Sequence, residues 1–123
     1  MKKQNLFRTA GGCITLICLM AACKKEAITE YDCNGYSPSY TIEVKPILDR
    51  SCAVSGCHNS SSRKSGLDYS GYAAARAGAA ESDEFMGSIQ HKNGYQAMPR
   101  QRPMLSEAEI RTLSCWIRSG MPE

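Results

Sequence analysis

Apolar positions recur along the chain at helical spacing, and no stretch alternates convincingly as a strand would. The last run is the clearest. Ile110, Leu113 and Ile117 fall within an arc of about 60° at 100° per residue, with Trp116 beside them. Ser106 and Glu109 have the spacing of a capping box, and Leu105 and Ile110 that of a hydrophobic staple. Glu107 and Arg111 make an i,i+4 pair on another face. Gly120 and Pro122 stop this helix. Val44, Ile47 and Leu48 mark one face of an earlier helix within 41–50. Thr41 as its N-cap puts Pro46 in the interior, where a hydrogen bond is lost; Pro46 as the first helical residue avoids that loss. Between these two elements, 72–77 reads as a short Ala-rich helix ended by Gly78. Ser82, followed by Asp83 and Glu84, opens another helix carrying Phe85, Met86 and Ile89. Residues 59–66 form a polar loop, and residues 92–104 are irregular. The pattern predicts an all-α domain over 41–123.

The amino-terminal third follows a different pattern. Residues 23–40 carry turn formers but no apolar period, which is the composition of a flexible arm or tether. Ahead of them, Lys2, Lys3 and Arg8 precede an uncharged, mostly apolar run from Cys13 to Met20, and Ala21 and Ala22 stand before Cys23. That order is the grammar of a secretory signal over 1–22. The run is shorter than the roughly 20 residues needed to span a bilayer. Met20-Ala21-Ala22-Cys23 resembles the lipobox of bacterial lipoproteins, with Met where Leu is more usual. The resemblance implies cleavage after Ala22, lipidation of Cys23 and anchoring in the cell envelope. Ordinary cleavage near Ala22 would leave a soluble chain with a free Cys23. Lys24 does not resemble the Asp that retains lipoproteins at the inner membrane. The expected location is therefore the outer membrane, facing the periplasm or the surface.

This reading changes the composition. The whole chain has 123 residues and a formal charge of +3. Without residues 1–22 it has 101 residues, with 12 basic and 12 acidic side chains. A neutral chain offers no basic field for nucleic acid. Of the seven cysteines, Cys13 and Cys18 leave with the signal and Cys23 takes the lipid. Cys33, Cys52, Cys57 and Cys115 remain for an oxidising compartment.

The helical part is small and has few large apolar residues, so it calls for a staple: a disulfide, a metal or a bulky cofactor. Cys52-Ala53-Val54-Ser55-Gly56-Cys57-His58 supplies a candidate. A C-x-x-C-H run is the attachment signature of c-type haem. Here four residues separate the cysteines, while Cys57 and His58 keep the usual adjacency. Gly56 gives the longer loop freedom to bulge. Two other chemistries are compatible with these residues. Cys52 and Cys57 could form a disulfide with His58 solvated. Zinc could be held by Cys52, Cys57, His58 and His91, although the adjacent Cys57 and His58 poorly fit two corners of one tetrahedron.

The stretch from about residue 40 to 122 resembles a small c-type cytochrome domain of bacterial envelope proteins. The segments that carry the resemblance are Val44-Lys45-Pro46-Ile47-Leu48, Ser51-Cys52 to Gly56-Cys57-His58, Gly66-Leu67-Asp68, Ala97-Met98-Pro99, and Leu105-Ser106 through Trp116-Ile117 to Gly120. It implies a cytochrome c-like helical domain wrapped around one covalent haem c. Cys52 and Cys57 then match the haem-attaching thiols, His58 the proximal iron ligand and Met98 the distal one. Met104, in the same irregular stretch, and His91 are the alternatives to Met98. The departure from the family pattern is the C-x4-C-H spacing.

With those thiols assigned, Cys33 and Cys115 remain. Cys115 stands about 140° from Ile110 on the last helix, off the apolar stripe. We expect a Cys33–Cys115 disulfide, with intermolecular pairing as its alternative. The expected function is electron transfer without substrate turnover, since two axial ligands leave iron no open position. Redox proteins of the envelope are the expected partners, and the lipid anchor makes the membrane contact. A haem-based gas-binding module and a haem-free, disulfide-stapled interaction domain are the competing functions.

Overall fold

The structure, a computed structural model, describes residues 24–123. The signal-like stretch and Cys23 lie outside them, and with them the expectations of cleavage and lipidation. The first helix starts at Ser39, whose backbone is extended (φ −89°, ψ 152°). The Ser39 hydroxyl accepts from the Ile42 amide, and the Glu43 carboxylate accepts from the Ser39 amide at 2.7 Å. The cap is therefore Ser39 and not Thr41. A π-type turn, Tyr40–Val44, then runs directly into α1, Lys45–Ser51. Pro46 accounts for the wide turn. Its ring has no N–H and would crowd the carbonyl four residues back in a regular helix. The Val44 and Lys45 amides instead reach five residues back, to the Ser39 and Tyr40 carbonyls.

The other helices are α2 (Tyr72–Ala79), α3 (Ser82–Ile89) and α4 (Glu107–Arg118), and no strand occurs among the described residues. The domain is all-α. α2 runs through Gly78, which was expected to end it. A Cβ at Gly78 would lie 2.7 Å from Cε1 of Tyr69, so this glycine marks a close ring contact and not a terminus. α3 begins one residue earlier than expected, with Ser82 as its first helical residue and not its cap. Glu81 stands at the N-cap without a side-chain bond, and Asp83 and Glu84 fill the first turn. α4 has both bonds of its capping box, with Leu105 and Ile110 buried across it, and Gly120 turns the chain at φ +90°.

One core joins these elements. Val44, Ile47 and Leu48 meet Phe85, Met86 and Ile89 of α3 and Ile110, Leu113 and Trp116 of α4. Trp116 is 0% exposed, and its Nε1 donates to the Pro122 carbonyl at 2.8 Å.

Residues 24–39 contain no helix, yet they are fastened to the domain as a strap and do not form the free tether expected. The Thr29 amide and carbonyl both bond the Gln90 side-chain amide, at 2.7 and 2.9 Å. The Glu26 amide donates to the Asn93 carbonyl at 2.8 Å, and the Glu26 carboxylate accepts from Asn93 and Lys92. Ile28 and Tyr31 pack against the core. Arg111 and Arg118 donate to the Asp32 and Tyr31 carbonyls. Cys33 and Cys115 form a disulfide with an S–S length of 2.07 Å. Cys115 is fully buried because the strap covers the face of α4 that the apolar stripe leaves over.

Two stability predictions follow from this packing. Replacing Cys33 and Cys115 by serine opens a loop spanning 82 positions. Chain entropy sets the loss at up to about 4.5 kcal/mol. Urea unfolding should show a lower midpoint, and an unchanged midpoint would mean that the cross-link stabilises nothing. Gly78→Ala provides a test by sign. In an open helix it would stabilise by about 1 kcal/mol. Against the buried Tyr69 ring it overpacks, which typically costs about 1–3 kcal/mol. Thermal melting should therefore show no gain or a net loss.

Candidate functional site

The end of α1 builds the site. The Cys52 and Ala53 amides share the Leu48 carbonyl at 2.8 Å, which closes the helix at Cys52. The chain then bulges through Gly56, in the left-handed region at φ +78°, and returns so that the His58 amide donates to the Cys52 carbonyl at 3.1 Å. Two further main-chain bonds hold the returning end: Lys64 N–H to the Cys57 carbonyl at 2.9 Å and Tyr69 N–H to the His58 carbonyl at 2.8 Å. The longer spacing between the cysteines is therefore a closed, bonded loop.

His58 is only 7% exposed. Its Nδ1 lies 3.0 Å from the Lys64 carbonyl. A carbonyl only accepts, so Nδ1 carries a proton, and Nε2 is the nitrogen left to offer a lone pair. The Tyr69 ring stands edge-on to His58 at 5.4 Å, and Phe85 packs on Tyr69 at 5.7 Å. This aromatic wall fixes the plane of the imidazole.

His58 opens onto a cavity of about 470 Å³. That volume is within the roughly 300–1,000 Å³ typical of small-molecule and cofactor sites. Cys52, His58, Leu67, Tyr69, Phe85 and Met98 form its walls, and Glu81 and Glu84 sit at the exposed edge. Three of the site residues read from sequence, Cys52, His58 and Met98, thus line one space although Met98 is 40 positions beyond His58. Cys57 is half-buried and is not one of the lining residues. Met104 is 49% exposed and lies away from the cavity. His91 is also outside the walls, and its Nε2 is 3.0 Å from the Met98 carbonyl.

The competing chemistries do not match this geometry. Cys52 and Cys57 are both free thiols, so they are not joined as a disulfide, and His58 is not solvated. Among the described residues, no three His, Cys, Asp or Glu side chains converge as a metal-holding group. The zinc set is broken because His91 is turned toward the Met98 main chain.

The electrostatics favour neutral groups. Burial, and then the neighbouring Cys57, push the Cys52 thiol up to about 12, so it stays protonated at neutral pH. Burial also pushes the Tyr69 phenol well above its ordinary value. Sequence reading missed Tyr69 as a wall and took Phe85 only as part of a helix face. The single cue was an aromatic residue directly after Gly66-Leu67-Asp68. Comparison with protein-family models, with curated proteins and with solved structures finds no match for the chain.

Protonation and burial make one prediction about the thiols. In haem-free chain, an alkylating reagent at pH 8 should label Cys57 well before Cys52. Cys52 should react readily only after unfolding, or as the pH rises toward its raised value. Equal labelling rates in the folded protein, followed by peptide mass, would contradict the buried, neutral thiol.

Proposed function

We propose that the chain is a monohaem c-type cytochrome that carries electrons in the bacterial cell envelope, anchored through Cys23. The observation that carries this reading is the convergence of three groups on one cavity: the Cys52 thiol, the His58 imidazole with its Nδ1 taken by the Lys64 carbonyl, and the Met98 thioether. These groups fit a haem, while Cys57 stands outside the cavity walls and would have to turn toward it. Cys52 and Cys57 would hold the porphyrin as thioethers, His58 would be the proximal ligand and Met98 the distal ligand. A bound haem supplies an iron that cycles between Fe(III) and Fe(II). The residues do the rest. Lys64 keeps the His58 proton on Nδ1, Tyr69 and Phe85 hold the ring, and the cavity walls limit water. Redox proteins of the envelope would be the partners that give and take the electron, in place of substrate turnover.

The full chain, produced in a host with haem-maturation machinery, provides the test. After denaturing electrophoresis the band should stain for haem peroxidase activity, and the peptide containing Cys52–His58 should carry the haem mass. An unmodified peptide would overturn the reading and favour the haem-free interaction domain. In the haem-loaded protein, Met98→Ala should let the reduced form bind carbon monoxide rapidly, whereas Met104→Ala should behave as wild type. Rapid binding by the wild type would favour the gas-binding alternative.

A further inference from the structure

We propose that His91 is a positioning residue, which holds Met98 at the cavity wall through the Met98 main chain. This inference rests on reading Met98 as the distal ligand of the proposed haem. α3 ends at Ile89, and the chain turns at His91, whose backbone is left-handed at φ +51°. Few side chains accept that conformation; His and Asn are among those enriched there. The His91 amide donates to the Ser88 carbonyl at 3.2 Å, which closes the turn.

From this turn the imidazole reaches Met98, with Nε2 3.0 Å from the Met98 carbonyl. The carbonyl can only accept, so Nε2 donates the proton. The Met98 amide donates in turn to the Ser88 carbonyl at 3.0 Å. Both main-chain polar groups of Met98 are thus bonded to the single turn 88–91, one through backbone and one through His91. The surrounding loop is seated on the same helix. Lys92 N–H bonds the Gly87 carbonyl at 3.0 Å, and Tyr95 lies so close to Gly87 that a Cβ there would be 2.4 Å from its ring. The histidine that sequence offered as a rival ligand therefore uses its Nε2 proton on the backbone of the ligand it rivals. Without the imidazole, Met98 keeps only its amide anchor, and its side chain leaves the wall more often.

Two variants of the full-length, haem-loaded protein separate this role from general structure. His91→Asn keeps a residue suited to left-handed backbone but draws the donor back from the Met98 carbonyl. His91→Gln returns an N–H near the position of Nε2. In His91→Asn, the charge-transfer band of the thioether–ferric bond should weaken. Carbon monoxide should bind the reduced form about 2- to 12-fold faster, the factor expected for losing one hydrogen bond. Amide hydrogen exchange at Met98 should accelerate by a similar factor. His91→Gln should restore all three toward wild type. The proposal is overturned if His91→Asn matches wild type, or if His91→Gln is as impaired as His91→Asn. If the wild-type chain carries no covalent haem, the cytochrome reading fails, while exchange at the Met98 amide still decides whether His91 holds that residue.

Discussion

The carbonyl of Pro122 ties the ends of this small domain together. It accepts from Trp116 Nε1 at 2.8 Å and from the Tyr40 amide at 2.9 Å. One residue earlier, the Met121 carbonyl accepts from the Tyr72 hydroxyl at 3.0 Å. Two successive carbonyls of the tail thus join α4, the π-type turn and α2. The rings follow the same geometry: Tyr40 lies 5.3 Å from Tyr72 and 6.1 Å from Trp116. Each such bond contributes only about 1 kcal/mol net, but a buried indole N–H left without an acceptor costs about 1–3 kcal/mol. Removing the tail would therefore do more than delete two contacts. It would strand the donor at the centre of the core and free the start of the helix that delivers Cys52.

α4 is buried on two sides by two different kinds of interaction. Its apolar stripe faces the core, which accounts for Ile110, Leu113 and Trp116. The adjoining face carries Cys115 and Ser114 and is covered by the strap. The strap binds through main-chain and polar side-chain bonds, with Ile28 and Tyr31 as its apolar contacts. It also reaches the loop that leads to Met98, since Glu26 grips Asn93 and Lys92, and Lys25 lies 4.4 Å from the Tyr95 ring centre. The disulfide at one end and these bonds at the other make the strap a brace between α4 and the loop before the cavity.

Locality decided what could be read before the structure was known. The capping box and staple of α4 need only residues 105–110, and both are present. The start of the first helix stayed open between Thr41 as cap and Pro46 in the first turn. Pro46 is indeed in the first turn of α1, but the π-type turn capped by Ser39 ahead of it has no sequence signal of its own. Gly78 was misread because the Tyr69 ring that requires it comes from a preceding loop, and no periodicity encodes that approach. The strap was illegible for a similar reason, as backbone bonds to Gln90 and Asn93 leave no apolar spacing in the strap itself. At the site, the adjacency of Cys57 and His58 and the Met-Pro pair marked candidates. The cavity that unites Cys52, His58 and Met98 arises only from tertiary packing.

The distribution of charge around that cavity is consistent with its donor set. His58 directs its Nδ1 proton to the Lys64 carbonyl, Met98 is a thioether and Cys52 stays a thiol. The carboxylates Glu81 and Glu84 stand at the edge, and Glu84 is paired with Lys25 of the strap at 2.7 Å. That pairing holds the Lys25 ammonium above its ordinary pKa. The strap therefore supplies a countercharge beside the cavity as well as a mechanical brace. An apolar, neutral interior penalises added charge. An iron held there by imidazole and thioether, as proposed, would find its reduced state favoured by the apolar walls and by the sulfur ligand. If the proposed haem is bound, the packing of Tyr69, Phe85 and the strap would therefore act on its potential alongside the ligands.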